Sequence, residues 1–127
     1  LTDMFYRGKR LAPGELIVRV YIDSKYTSVP HAHVKKSKIE KIGYPLVSVS
    51  AMYIDGIMRT AVSGLVHYPL RLGDLNLKNK RSAASLAKGL LKEAPSPIID
   101  DVSGSAAYRR LIFEITSENT IINFRKL

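Results

Sequence analysis

Three histidines, one pair of adjacent aspartates and one dense run of lysines are the residues here whose type and spacing could do chemistry. His31 and His33 stand two apart, which places both imidazoles on one face of an extended segment and supplies half of a metal site. A third ligand would have to come from elsewhere, so no resident metal is expected. Asp100-Asp101 reads either as paired carboxylates for acid–base work or as favourable charges at the N-terminal end of a following helix. Tyr108-Arg109-Arg110 falls in the first turns of that helix, where cations oppose the dipole and something negative should sit beside them. Asp100 and Asp101 folding back would answer this locally; a subunit or domain interface recognised through the planar guanidinium fork would answer it functionally. Both answers stay open.

Lys35, Lys36, Lys38 and Lys41 fall within seven residues, with Glu40 as the acid among them. The run fits either a solvated loop or an anionic partner such as RNA, DNA or a phosphorylated cofactor, because clustered ammonium groups bind phosphate and release counterions. Tyr44 is its one aromatic neighbour, whereas single-strand binders interleave several stacking rings, so nucleic acid is not the favoured partner. There is no GxSxG, HExxH, GxxxxGK[ST], or GxGxxG after a strand, and no catalytic residue is expected within the segment.

These residues need a scaffold, and 127 residues at 46% hydrophobic and 24% charged suffice for one domain with a single core. The net charge is +9 and cysteine is missing, which excludes disulfides and thiolate-held metals or clusters in this chain. A reducing compartment, with the cytoplasm as default, is the expectation. No apolar run approaches the roughly 18 residues of a spanning helix; the longest candidate, 42–54, is broken by Gly43 and Pro45. The chain opens on Leu1 with no apolar secretion core, so it reads as a piece of a longer polypeptide.

Pro13-Gly14 marks a boundary, with 1–14 as linker or the end of an upstream domain and 15–127 as the domain itself. ELIVRVYID at 15–23 predicts a first strand. YPLVSVSAMYI at 44–54 predicts a second, with Leu46, Ser48, Ser50 and Met52 alternating against Val47, Val49, Ala51 and Tyr53, as a strand covered on one face. Asp55-Gly56 predicts a tight hairpin whose return strand runs to Tyr68, before Pro69 stops it. Residues 81–94 then turn helical, with Ala84, Leu86, Ala87, Leu90 and Leu91 at helical spacing. A last helix from about Ser105, capped by Asp101 or Ser103, places Leu111, Ile112, Ile115 and Ile122 along one face. Strands first and helices second predict an α+β fold: an antiparallel sheet of three to four strands with about three helices layered on one face.

Three passages, in order and spanning nearly the whole chain, resemble the C-terminal domain of the FAD-binding (medium) subunit of molybdenum hydroxylases, the xanthine dehydrogenase and carbon monoxide dehydrogenase flavoprotein family. FYRGKRLAPGELI at 5–17 is similar to the family's link F-x-G-x-x-x-L-x-P-G-E-L-I. KKSKIEKIGYPLVSVS at 35–50 is similar to K-x-x-R-x-x-x-D-[YI]-[PA]-[LV]-V-x-V-A, and GLVHYPLR at 64–71 to G-x-x-x-x-P-x-R. DDVSGSAAYRR at 100–110 is close to D-D-x-x-G-S-A-x-Y-R-R and is the most specific match. Lys38 stands where the family has arginine and Gly43 where it has aspartate.

The resemblance implies the same α+β sandwich. It implies part of an oxidoreductase in which electrons pass from a molybdopterin centre on a large subunit through two-iron two-sulfur clusters on a small subunit to FAD, and on to NAD or another acceptor. FAD would be held mainly by an N-terminal domain, while this domain closes over the flavin with an apolar residue, Ile17, and a lysine, Lys35. An ammonium beside the isoalloxazine stabilises its reduced, anionic form. Asp100, Asp101, Tyr108, Arg109 and Arg110 would then fix the last helix or meet a partner. The alternatives are a stand-alone basic module that binds RNA or another polyanion, and an orphan copy of the domain acting as a scaffold.

Overall fold

A computed structural model describes residues 11–37 and 43–127. The remainder of the basic run, Lys38 and Lys41 included, lies outside the described residues, as does most of the upstream link.

Asp55 and Gly56 both take positive φ, 52° and 85°, which is the primed turn that matches strand twist in a two-residue hairpin. They join β2 (Pro45–Ile54) to β3 (Ile57–Ser63), antiparallel and in register from Ser48 opposite Ser63 to Ile54 opposite Ile57. β1 (His31–Ser37) pairs along the other side of β2, with Lys35 opposite Ser48 and His33 opposite Ser50. Two short strands, β4 (Leu70–Arg71) and β5 (Leu75–Asn76), share the far edge of β3. The sheet is therefore antiparallel throughout, in the order β1-β2-β3-β4 with β5 also on β3.

Two α-helices cover one face of it: α1 (Ala83–Lys92) and α2 (Ala106–Phe124). The fold is α+β as expected, with two helices among the described residues rather than about three. α2 crosses β2 and reaches β1, and α1 packs beside α2. Val47, Val49, Met58 and Val62 from the sheet meet Leu86, Leu90, Phe113 and Ile121 in one core. Full burial of each large apolar side chain contributes about 1.5–3 kcal/mol. Tyr53 stacks on Phe124 with ring centroids 5.6 Å apart.

Two expectations fail here. Residues 15–23 form no strand, and Leu16 and Val18 are 81% and 79% exposed. β-branched composition makes a strand only where a neighbouring strand completes its hydrogen bonds, and none does so for this run among the described residues. The return strand of the hairpin stops at Ser63, not Tyr68, because Gly64 turns the chain at φ +91°.

The last helix also buries a different face. Leu111, Ile115 and Ile122 do line up, but they are 52%, 45% and 39% exposed. The buried stripe is Arg109, Phe113, Thr116, Ser117, Thr120, Ile121 and Phe124. Small hydroxyl residues let the helix approach the sheet closely, at a cost: the side-chain oxygens of Thr60, Thr116 and Ser117 are buried and find no hydrogen-bond partner. The cap is Ser105, whose Oγ accepts from Tyr108 N at 3.2 Å, rather than Asp101 or Ser103.

Candidate functional site

Both ends of α2 are tied to the rest of the molecule by an arginine. At its C-terminal end Arg125 donates to the carbonyl oxygens of Leu77 at 3.3 Å and of Asn79 and Arg81 at 2.8 Å each. At its N-terminal end Arg109 is 4% exposed. Its Nη1 donates to Leu46 O at 2.7 Å and Gly64 O at 2.9 Å, its Nε to Gly104 O at 3.2 Å, and its Nη2 to Asp101 Oδ1 at 2.8 Å. The start of β2, the end of β3 and the loop before α2 are thus gathered on one guanidinium, whose rigid fork suits several acceptors at once.

The surrounding residues follow from that geometry. A Cβ on Gly64 would lie 2.1 Å from Leu46 O, and its φ is one that side chains disfavour, so glycine is required. A Cβ on Gly104 would lie 2.7 Å from Leu46 Cδ1. Asp101 Oδ1 also accepts from the backbone N–H groups of Ser103 at 2.9 Å and Gly104 at 3.1 Å. The Arg109 hydrogen bond, with those two N–H groups, holds the Asp101 carboxyl below its ordinary value against a smaller opposing effect of desolvation. Asp100 Oδ2 accepts from Ala106 N at 3.3 Å. The two acids are therefore helix-end groups, and Asp101 is the local partner that an arginine in a first helical turn demands. Arg109 spends its fork inside the fold, whereas Asp100, Tyr108 and Arg110 face solvent.

The sheet face opposite the helices is different in character. His31, His33 and Lys35 of β1 share it with Ser48, Ser50 and Met52 of β2, Arg59, Ala61 and Ser63 of β3, and Arg71 of β4, as strand parity and register require. Lys35 is exposed there, beside Ser48. Ile17, by contrast, lies in the irregular run 15–23 outside the sheet and is 37% exposed.

His31 and His33 share a face, as their spacing requires. Among the described residues no group of three or more His, Cys, Asp or Glu is placed to hold a metal ion. His33 Nδ1 and Ser50 Oγ share a hydrogen bond of 2.8 Å. Around these residues the open face forms a trough of about 510 Å³. Arg59, Arg71 and Tyr26 at this trough were not singled out from the sequence as site residues. The available signal was parity: Arg59 and Ser50 occupy outward positions on strands whose inward positions are apolar.

No family model and no curated protein sequence matches the chain. Among the described residues, no helix is long and apolar enough to cross a membrane.

For FAD, the open face offers one wall and no more. Lys35 presents an exposed ammonium group on the edge strand, opposite Ser48, and an ammonium fits the edge of an anionic ring. The sequence contains no glycine-rich turn to cradle a pyrophosphate.

Proposed function

We propose that the chain is the C-terminal domain of the FAD-binding subunit of a molybdenum-hydroxylase-like oxidoreductase of the xanthine dehydrogenase type. The observation that carries this reading is the job done by the residues that match the family pattern. Asp101, Gly104 and Arg109 come from the 100–110 passage, Gly64 from 64–71, and Leu46 from 35–50. All five meet at one guanidinium cluster. Passages far apart in sequence thus match the family at positions that one structural element needs together.

In this reading the domain closes the flavin pocket rather than breaking bonds. FAD supplies the electron relay when bound, taking electrons from iron–sulfur clusters and passing them to NAD or another acceptor. Lys35 stabilises negative charge on the reduced ring from the open face, and the wall excludes water. Ile17 meets the flavin from the run 15–23. Molybdopterin and the two-iron two-sulfur clusters belong to partner chains. The exposed apolar side chains of Tyr108, Leu111 and Ile115 on α2 support docking onto such partners, because clustered exposed apolar side chains mark interaction surfaces. The location of this assembly is cytoplasmic.

Partner identity tests the reading. The native gene product, tagged after Leu127 and isolated from its source, should bring down stoichiometric large and small subunits that carry molybdopterin and iron–sulfur clusters. Isolation without such subunits would contradict it and move the polyanion-binding and scaffold readings ahead.

A further inference from the structure

We propose that the outer face of α1 docks an acidic helix of a partner protein. α1 buries Leu86, Ala87 and Leu90 against the core, so the helical period turns Ser85, Lys88, Gly89 and Lys92 to the opposite side. Arg81, just before the helix, joins them around a shallow cavity of about 370 Å³.

The charge on this face is unanswered within the chain. α1 contains no acidic residue, and among the described residues Arg81, Lys88 and Lys92 make no ion pair. Glu93, the residue after the helix, accepts instead from the backbone N–H of Gly73. Arg125 donates to Arg81 O and to two other carbonyl oxygens, none of them charged, so its guanidinium adds to the positive field on this side of the molecule. A partner that carries carboxylates complements the face.

Shape selects what carries those carboxylates. The floor between the cations is made of Ala84, Ser85 and Gly89. Glycine is a poor residue for a helix interior, and its use there suits the close approach of another backbone. No neighbour within the described chain requires Gly89, since a Cβ there would meet nothing within 4 Å. A helix laid over Ser85 and Gly89 makes that approach from outside. Glutamates at i, i+4 and i+7 on it then face Lys88 and Lys92, which stand about one turn apart. Nucleic acid fits less well, because α1 carries no aromatic ring for a base to stack on.

The proposal uses neither the open sheet face nor the flavin wall and is independent of the flavoprotein reading. The test is fluorescence anisotropy of a labelled Ala-based peptide of about 20 residues, long enough to be helical alone, with glutamates at i, i+4, i+7 and i+11, titrated with the 127-residue chain. It should bind saturably and more weakly as salt rises, and the same peptide with Gln for Glu should bind about ten-fold more weakly or worse. Lys88→Gln and Lys92→Gln should each weaken the Glu peptide by about two- to five-fold. Gly89→Leu keeps the charge and raises helix propensity, so it should weaken the peptide by about ten-fold while circular dichroism shows the fold intact. Lys25→Gln, at a lysine already paired with Asp23, should change binding by less than about two-fold. Absence of saturable binding, equal binding of the Gln peptide, undiminished affinity in Gly89→Leu, or equally tight binding of an oligothymidylate would each overturn it.

Discussion

Arg109 and Arg59 are both arginines set against the same sheet, yet they meet opposite surroundings. Arg109 sits on the helix side, buried, with three carbonyl oxygens and one carboxylate of its own. Arg59 sits on the open side, half-buried, sharing Asp74 with Arg71 and leaving its Nε without a hydrogen bond. A guanidinium whose three nitrogens all donate to its own chain holds the fold together. One that shares its carboxylate and keeps a buried Nε without a hydrogen bond adds little to it.

The largest expected effect lies at the closed cluster. Arg109→Leu strands three carbonyl oxygens and Asp101, and should destabilise the domain by about 3–5 kcal/mol in urea unfolding. A loss below about 1 kcal/mol would break the contrast, since that is the scale of an exposed pair. Gly64→Ala should follow, with about 1–3 kcal/mol from the positive φ and more from the approach to Leu46 O.

Asp101 gives the comparison a pH signature. Its carboxyl is held below its unfolded value, so its contribution is complete above the ordinary value of 3.8 and is lost as pH falls from there through the lower folded value. Asp101→Asn should flatten that acid limb of the stability profile while leaving its shape near neutrality unchanged. An unaltered acid limb would show that the pair with Arg109 is not what titrates.

On the open face the effects on stability should be small. Arg71→Gln removes an exposed ion pair and should cost less than about 1 kcal/mol. On the helix side of the same strand, Thr60→Val removes a buried hydroxyl that has no partner, and should be neutral or stabilising by about 1 kcal/mol in thermal unfolding.

What could be read from the sequence follows the range of the interactions involved. The hairpin was legible because Asp55-Gly56 dictates its own turn, and α1 because Leu86, Ala87 and Leu90 repeat at helical spacing. The Arg109 cluster could be anticipated only as a need for a nearby anion, since its carbonyl partner Leu46 is 63 residues away. The buried face of α2 was hidden because Thr116, Ser117 and Thr120 carry no hydrophobic signal, while the more apolar Leu111 and Ile115 remain outside. Residues 15–23 misled in the opposite sense: their composition asks for a sheet, and this sheet does not take them. The open-face trough needs β1 beside β2 in one register before His33, Ser50 and Arg59 become neighbours.

Flavin content of the native gene product tests the central claim most directly. The product, tagged after Leu127 and carrying whatever chain precedes it, would be compared with its Lys35→Ala variant by visible absorption. Flavin bands with an iron–sulfur shoulder in the native protein, and slower flavin reduction or lower flavin occupancy in the variant, are expected if the open face closes a flavin pocket. A colourless native protein would contradict the flavoprotein assignment, and identical spectra and reduction kinetics in the two would remove Lys35 from the flavin wall.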